Sequence, residues 1–443
     1  MNINEYSHLQ QEIPVTVLSE EARSKDQPLL PYQLFFLDYQ LYSPNKDIMN
    51  ITMFCRIPAG TGDVQVLKDA VDRVFHHYAV FSTVFTFSDD GSLVQRCCPQ
   101  LVPDIEILHC TEEYALAYRK DIFIKPYRLI DSLLWRHKIL VTPENIYLLT
   151  DFHHTISDKG MCMFVYRQIF DVMRHREPFP DHYYLYLDEY ARKMKSESAA
   201  EDLRELARLY PGTCSRFPKP DMDSRENENG TYFLPAAHSL SYYKNAAKRL
   251  DIPFGMALTT AGLLALSRYN HDPKVEIEWV YYGRREAWKK DLAGLMIAGI
   301  PAAMDFSALT TRRQILDEAR RQYELGHRYS EYSYALRNMS PTVNECMKIC
   351  YLPGDDDPGN LPEGSDLTVW LNSMEGMLCL VQIIIMEAGA DQPLLMRVTY
   401  QGTRYFPENM ERLLRLYLHA LDELLSETAD MDVSDIQEKI STE

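Results

Sequence analysis

Two adjacent histidines are followed, after three residues, by an aspartate: His153-His154-Thr155-Ile156-Ser157-Asp158. A neutral imidazole exchanges a proton near pH 7 without a large pKa shift, so either histidine could serve as a general base. The aspartate could act as an acid, or it could brace the turn that carries the base. A histidine pair also raises the question of a metal. Neighbouring residues on an extended strand point to opposite faces, however, and no third ligand is evident, so no metal is expected. Taken without any further context, a strand histidine is more often a core group satisfied by hydrogen bonds than a base.

The surrounding sequence supplies the scaffold for such a base. Residues 145–152 (NIYLLTDF) read as a strand, and residues 161–173 (MCMFVYRQIFDVM) read as a helix. The histidines therefore sit on a tight strand-to-helix bend. Ser157 is placed to cap the helix, and Asp158 to meet the positive end of its dipole.

Upstream, residues 34–41 read as a helix, 50–57 as a strand and 63–80 as an amphipathic helix. Residues 81–97 read as a hairpin turned at Asp89-Asp90-Gly91. A helix is expected at 112–124, and a second hairpin at 135–152 turned at Pro143-Glu144. The stretch RHREPFPD marks a boundary, which gives an N-terminal lobe over 1–177 and a C-terminal lobe over 178–443. In the second lobe helices are expected at 184–209, 239–250, 253–269, 309–327 and 407–426. Strands are expected at 274–283, 366–373, 377–387 and 393–401, and a flexible Gly/Ala segment at 293–303. Hairpins flanked by helices indicate an α+β class with two sandwich lobes.

The spacing HHxxxD resembles the signature HHxxxDG of the condensation domains of nonribosomal peptide synthetases, within the chloramphenicol acetyltransferase-like superfamily. Lys159 stands where the family has glycine, and a glycine follows at Gly160. Residues 77–85 (HYAVFSTVF) look like RHExLRTxF, with Ser82 in place of the arginine. Residues 123–129 (FIKPYRL) look like the segment upstream of the active site. Residues 283–304 (GRREAWKKDLAGLMIAGIPAAM) are similar to the floor segment GR…GxFxNTxPxR. Residues 366–373 (DLTVWLNS) and 399–406 (TYQGTRYF) look like the strand ending in asparagine and the closing segment, respectively.

This resemblance implies two chloramphenicol-acetyltransferase-like lobes in a V-shaped pseudo-dimer with a central tunnel. The C-terminal lobe would carry the floor-loop and latch-like segments. His154 would be the catalytic residue. His153, Asp158 and Arg284 would be structural at the site, with Arg284 paired to Asp158 and Arg285 in reserve. Lys159, Gly160 and Asn372 would line the tunnel or touch substrate. The implied reaction is amide formation between a carrier-bound acyl or peptidyl thioester and an amine acceptor. No cofactor would be bound by the domain itself, since phosphopantetheine arrives on the donor and acceptor carrier proteins, with an adenylation domain nearby. Two rival readings share the fold: an acyl-CoA-dependent acyltransferase, and a noncatalytic carrier- or partner-recruiting domain consistent with Lys159. Lys159 itself could point to solvent, narrow the acceptor side or meet an anionic group.

Composition narrows the classes further. The chain has 443 residues, 46% of them hydrophobic, enough for more than one core. A net charge of −18 disfavours broad contact with nucleic acid, which needs clustered Lys and Arg. Nine cysteines without a CxxC pair read as reduced thiols of a cytoplasmic protein. No signal peptide and no apolar run long enough to span a bilayer are apparent, and a monomer is expected.

Overall fold

The computed structural model describes residues 20–43, 46–210, 213–221, 229–284, 287–332, 346–352, 361–371 and 380–426. Its contacts group the chain into two compact units. The first comprises residues 1–200, 282–297 and 356–376; the second comprises 201–281, 298–355 and 377–443. The stretch expected as the C-terminal lobe thus gives its opening residues and two later segments to the first unit.

The first unit opens with helix α1 (Pro31–Tyr42). Pro31 fits the first helical turn, where no amide partner is needed, and Gln33 Oε1 accepts from the Leu30 amide at 2.7 Å. Its buried stripe is Tyr32, Gln33, Phe36, Leu37 and Gln40. Strand β1 (Gln27–Pro28) pairs with the hairpin β3 (Thr83–Phe87) and β4 (Leu93–Cys97) in a small sheet ordered β1-β4-β3. Gly91 takes φ +82° in the hairpin turn, as the DDG triplet leads one to expect.

The main sheet of this unit has five strands: β2 (Asn50–Pro58), β5 (Ile107–His109), β6 (Trp135–Val141), β7 (Asn145–His153) and β12 (Asp366–Leu371), ordered β12-β2-β7-β6-β5. Strand β7 runs antiparallel to both β2 and β6, in a register that sets Asn50 opposite His153. Every residue of β7 is buried, the polar Asn145, Thr150, Asp151 and His153 included. Helices α2 (Val64–His77) and α4 (Lys159–Met173) pack on each other beside this sheet, over a core that includes Val71, Phe75, Ile139, Leu148, Phe152 and Ile169. Helix α3 (Glu112–Tyr118) is shorter than expected, because residues 119–123 form a π-helical turn. The expected helix at 184–209 is two helices, α5 (Tyr183–Met194) and α6 (Glu197–Leu209).

In the second unit six strands form one sheet: β8 (Gly230–Ser239), β9 (Lys274–Tyr281), β10 (Ala298–Asp305), β11 (Lys348–Leu352), β13 (Val381–Met386) and β14 (Pro393–Tyr400), ordered β10-β9-β11-β13-β14-β8. Helices α7 (Leu240–Arg249), α8 (Phe254–Asn270), α9 (Arg312–Arg328) and α10 (Pro407–Leu425) supply its core with Ile277, Ile349, Ile383 and Val398. Helix α8 buries residues on every side, which explains its apolar composition. Among the described residues no single helix is long and apolar enough to cross a membrane.

Three further sequence expectations change. Residues 298–305 are not flexible: they form edge strand β10, paired antiparallel to β9 along its whole length. Strands β8 and β11, which the sequence pattern does not announce, complete the second sheet. Strand β12 joins the first sheet rather than the second, antiparallel to β2, and packs Leu367 and Val369 on the first core.

Candidate active site

Strand β7 ends at His153, and Asp158 caps α4 just beyond it, so the histidines and the aspartate bracket one bend. The cap is Asp158 itself and not Ser157: Asp158 Oδ1 accepts from the Met161 amide at 2.7 Å. Ser157 instead donates its hydroxyl to the His153 carbonyl at 3.0 Å and closes the bend from within.

The two histidines differ in their bonding. His153 is fully buried, and its Nε2 meets Gln40 Oε1 of α1. An amide oxygen only accepts, so Nε2 carries the hydrogen. Nδ1 then accepts from the Thr155 amide at 3.2 Å and bonds the Thr155 hydroxyl at 2.7 Å. Both ring nitrogens are occupied, and burial pushes this imidazole down to about 3, with His154 and Arg136 adding to the effect. His153 stays neutral throughout the physiological range.

His154 is buried too, but its bonding fixes the other tautomer. Its Nδ1 lies 2.7 Å from the Ser157 carbonyl, which can only accept, so Nδ1 carries the hydrogen and Nε2 keeps its lone pair. The Phe36 ring of α1 stacks on the imidazole, with centroids 4.2 Å apart and planes 21° from parallel. Burial pushes the His154 pKa down, against the opposing pull of the Ser157 carbonyl and the Asp158 charge. A neutral imidazole with an available Nε2 lone pair is the form a general base requires.

Asp158 and Arg284 meet in the first unit. Arg284 Nη2 lies 3.0 and 3.3 Å from the two Asp158 oxygens, and the Met296 amide donates to Oδ2 at 2.8 Å. The guanidinium also donates to the carbonyls of Lys289, Leu292 and Gly294, at 3.2, 2.7 and 2.8 Å. This buried pair therefore pins the loop at 289–296 to the bend. Gly160 explains itself beside it: a Cβ there would collide with Tyr282 Oη and lie 2.9 Å from Arg284 Nε. Lys159, next to it, is half-buried at the first turn of α4. Asn372 and Arg285 lie outside the described residues.

Below the histidines a polar network anchors the end of β7. Asp151 accepts from Asn50 Nδ2 at 2.8 Å, from the Thr52 hydroxyl at 2.8 Å and from the Tyr127 hydroxyl at 2.9 Å, and Arg136 Nε lies at 3.3 Å. Burial pushes the Asp151 carboxyl up to about 7 against these donors. The sequence alone did not single out Asp151, Gln40, Phe36 or Tyr282. The one signal for α1 was a pair of glutamines, Gln33 and Gln40, placed within an otherwise apolar helical stripe.

The sequence model described as the condensation domain matches residues 23–437. A plipastatin synthase from Bacillus subtilis (strain 168) is 22% identical over 414 residues, covering 83% of this chain and 15% of that protein. The chain thus spans only about a seventh of the length of this curated relative. Among solved structures, the condensation domain from monacolin K polyketide synthase superposes with a TM-score of 0.75 at 12% identity, over 91% of this chain and 98% of that one. The X-domain from teicoplanin biosynthesis gives 0.72 at 14% identity, over 92% and 96%. A mutant starter condensation domain of rhizomide synthetase gives 0.70 at 18% identity, over 92% and 100%. At these identities the structural likeness speaks for the two-lobe α+β fold.

Proposed function

The chain belongs to the condensation-domain family, and from that premise we propose that it is an amide-forming acyltransferase of nonribosomal peptide synthesis. The observation that carries this reading is the tautomer of His154, with Nδ1–H held by the Ser157 carbonyl and Nε2 left as the base. The acceptor amine attacks the carbonyl carbon of the donor thioester. A C–N bond forms, the amine proton passes to Nε2, the C–S bond breaks, and the proton leaves with the thiolate. Much of the rate would come from holding two tethered reactants in contact. His153, Asp158 and Arg284 brace the bend; Lys159, Gly160 and Asn372 contact substrate or line its path. Donor and acceptor carrier proteins bring phosphopantetheine, and the domain supplies no cofactor of its own. The 1–177 and 178–443 lobes expected from the sequence stand as the proposed functional halves, and a cytoplasmic monomer as the proposed state.

The test is condensation of acyl- and aminoacyl-loaded carrier proteins, with products read by mass spectrometry. His154→Ala should abolish product while leaving the melting temperature within a few degrees of the parent chain. Normal turnover in that variant would remove His154 from the chemistry.

Lys159 favours a second reading, in which the domain recruits a carrier or another partner without condensing. Under that reading the parent chain binds loaded carriers but yields no product, and Lys159→Gly does not create any. Product from acyl-CoA in the absence of carriers would instead identify an acyl-CoA-dependent enzyme.

A further inference from the structure

Helix α1 touches both histidines, and it does so from one stripe. Phe36 and Gln40 are four residues apart, which puts them on the same helical face one turn apart. Phe36 covers the His154 ring at 4.2 Å, and Gln40 Oε1 takes the hydrogen of His153 Nε2. Gln33, one turn earlier on that face, anchors the helix: it pairs with Gln95 at 3.2 and 2.8 Å and with the Tyr183 hydroxyl at 3.2 Å. All three side chains are buried. The helix therefore cannot shift along its axis without breaking contacts at both ends of this stripe.

We infer that Phe36 and Gln40 are positioning residues, which fix the ring plane of His154 and the tautomer of His153. The inference rests on the proposed acid–base role of His154 and adds the residues that tune it. Phe36 does so in two ways. Its face blocks rotation of the imidazole, which leaves the Ser157 carbonyl as the partner of Nδ1. It also presents the negative face of an aromatic ring to a group that becomes cationic while it holds the amine proton, and such contact stabilises the cation. The other groups acting on His154 are Asp158 at the start of α4, whose charge favours the imidazolium, and His153 on β7, which stays neutral. On the β2 side the Met49 carbonyl takes the His154 backbone amide at 2.7 Å. Gln40 acts through His153: an acceptor fixed at Nε2 leaves Nδ1 to accept from Thr155, and this shapes the first residues of the bend.

The test compares Phe36→Leu, Phe36→Tyr and Gln40→Leu in the full chain, with histidine side chains labelled for NMR. Phe36→Leu should lower the His154 pKa by about 0.5 to 1.5 pH units, because the cation loses its aromatic face. Phe36→Tyr should restore it. Gln40→Leu should move the His153 ring nitrogens from fixed to averaged tautomer shifts. With acyl and aminoacyl N-acetylcysteamine thioesters as substrates, Phe36→Leu should reduce kcat roughly tenfold or more with little change in KM. The acidic limb of its kcat profile should move to lower pH. A His154 titration unchanged in Phe36→Leu, or equal in the leucine and tyrosine variants, overturns the inference. The NMR result also separates it from the acyltransferase reading. A shifted titration in a chain that makes no product upholds the positioning role and removes the chemistry. Product formation with an unmoved titration does the reverse.

Discussion

Asp158 and Arg284 of the first unit lie 126 residues apart in sequence and join the end of a strand to a loop, with three backbone carbonyls and two amides completing the cluster. Glu278 and Lys348 of the second unit are direct cross-strand neighbours on β9 and β11, with Lys348 Nζ 2.9 Å from Glu278 Oε1. Both pairs are buried. The first organises irregular backbone that has no ladder of its own, and losing one member frees a bend and a loop together. The second sits inside a ladder that already fixes its backbone, so its main contribution is to register. Desolvating two charges offsets much of their attraction in either place, so the surroundings decide what each pair is worth.

The largest effect should come from breaking the first pair. Asp158→Ala leaves a buried arginine short of its counter-charge, and such changes cost about 3–5 kcal/mol. Urea unfolding of Asp158→Ala, Arg284→Ala and the double variant should show strong coupling, and additive losses would mean that the two side chains act independently.

A smaller loss should follow crowding of the same cluster. Gly160→Ala drives a methyl into Tyr282 and should cost about 1–3 kcal/mol, the usual range for overpacking. Tyr282→Ala in the same chain should recover part of the loss. If Gly160→Ala melts with the parent protein, the bend is more compliant than the distances imply.

The smallest effect belongs to the second unit. Replacing both Glu278→Leu and Lys348→Met should change stability by no more than about 1 kcal/mol, since an apolar pair of similar volume avoids the desolvation penalty. Lys348→Met alone should be clearly worse than the double change. A double variant as damaged as Asp158→Ala would erase the contrast between the units.

The parts of this molecule that were legible in sequence are those with local causes. The hairpin ending at β7, the DDG turn and the helix after the histidines each announce themselves within a dozen residues. The histidine motif was legible because its spacing is itself the bend. What was hidden depends on distant partners. β12 carries the strand pattern, but nothing in residues 366–371 says that they align with β2 rather than with the second sheet. The Gly/Ala content of 298–303 masks a strand whose backbone is held by β9. Phe36 and Gln40 looked like ordinary members of an apolar helix, since their meaning lies in imidazoles more than a hundred positions away.

Strand β12 has a consequence for synthesis. β2 is complete by Pro58, yet its outer edge is covered only once Asp366 to Leu371 have been made. At ordinary translation speeds that interval is roughly 15 to 60 s. For that time the nascent chain presents an open, largely apolar strand edge beside half-built cores, the kind of surface that captures other chains. Arg56, which later pairs with Asp366, is the one charged side chain along that edge. The ribosome-bound intermediate is therefore expected to be prone to misassembly through this edge. Truncations ending before residue 366 should aggregate far more readily than the full chain.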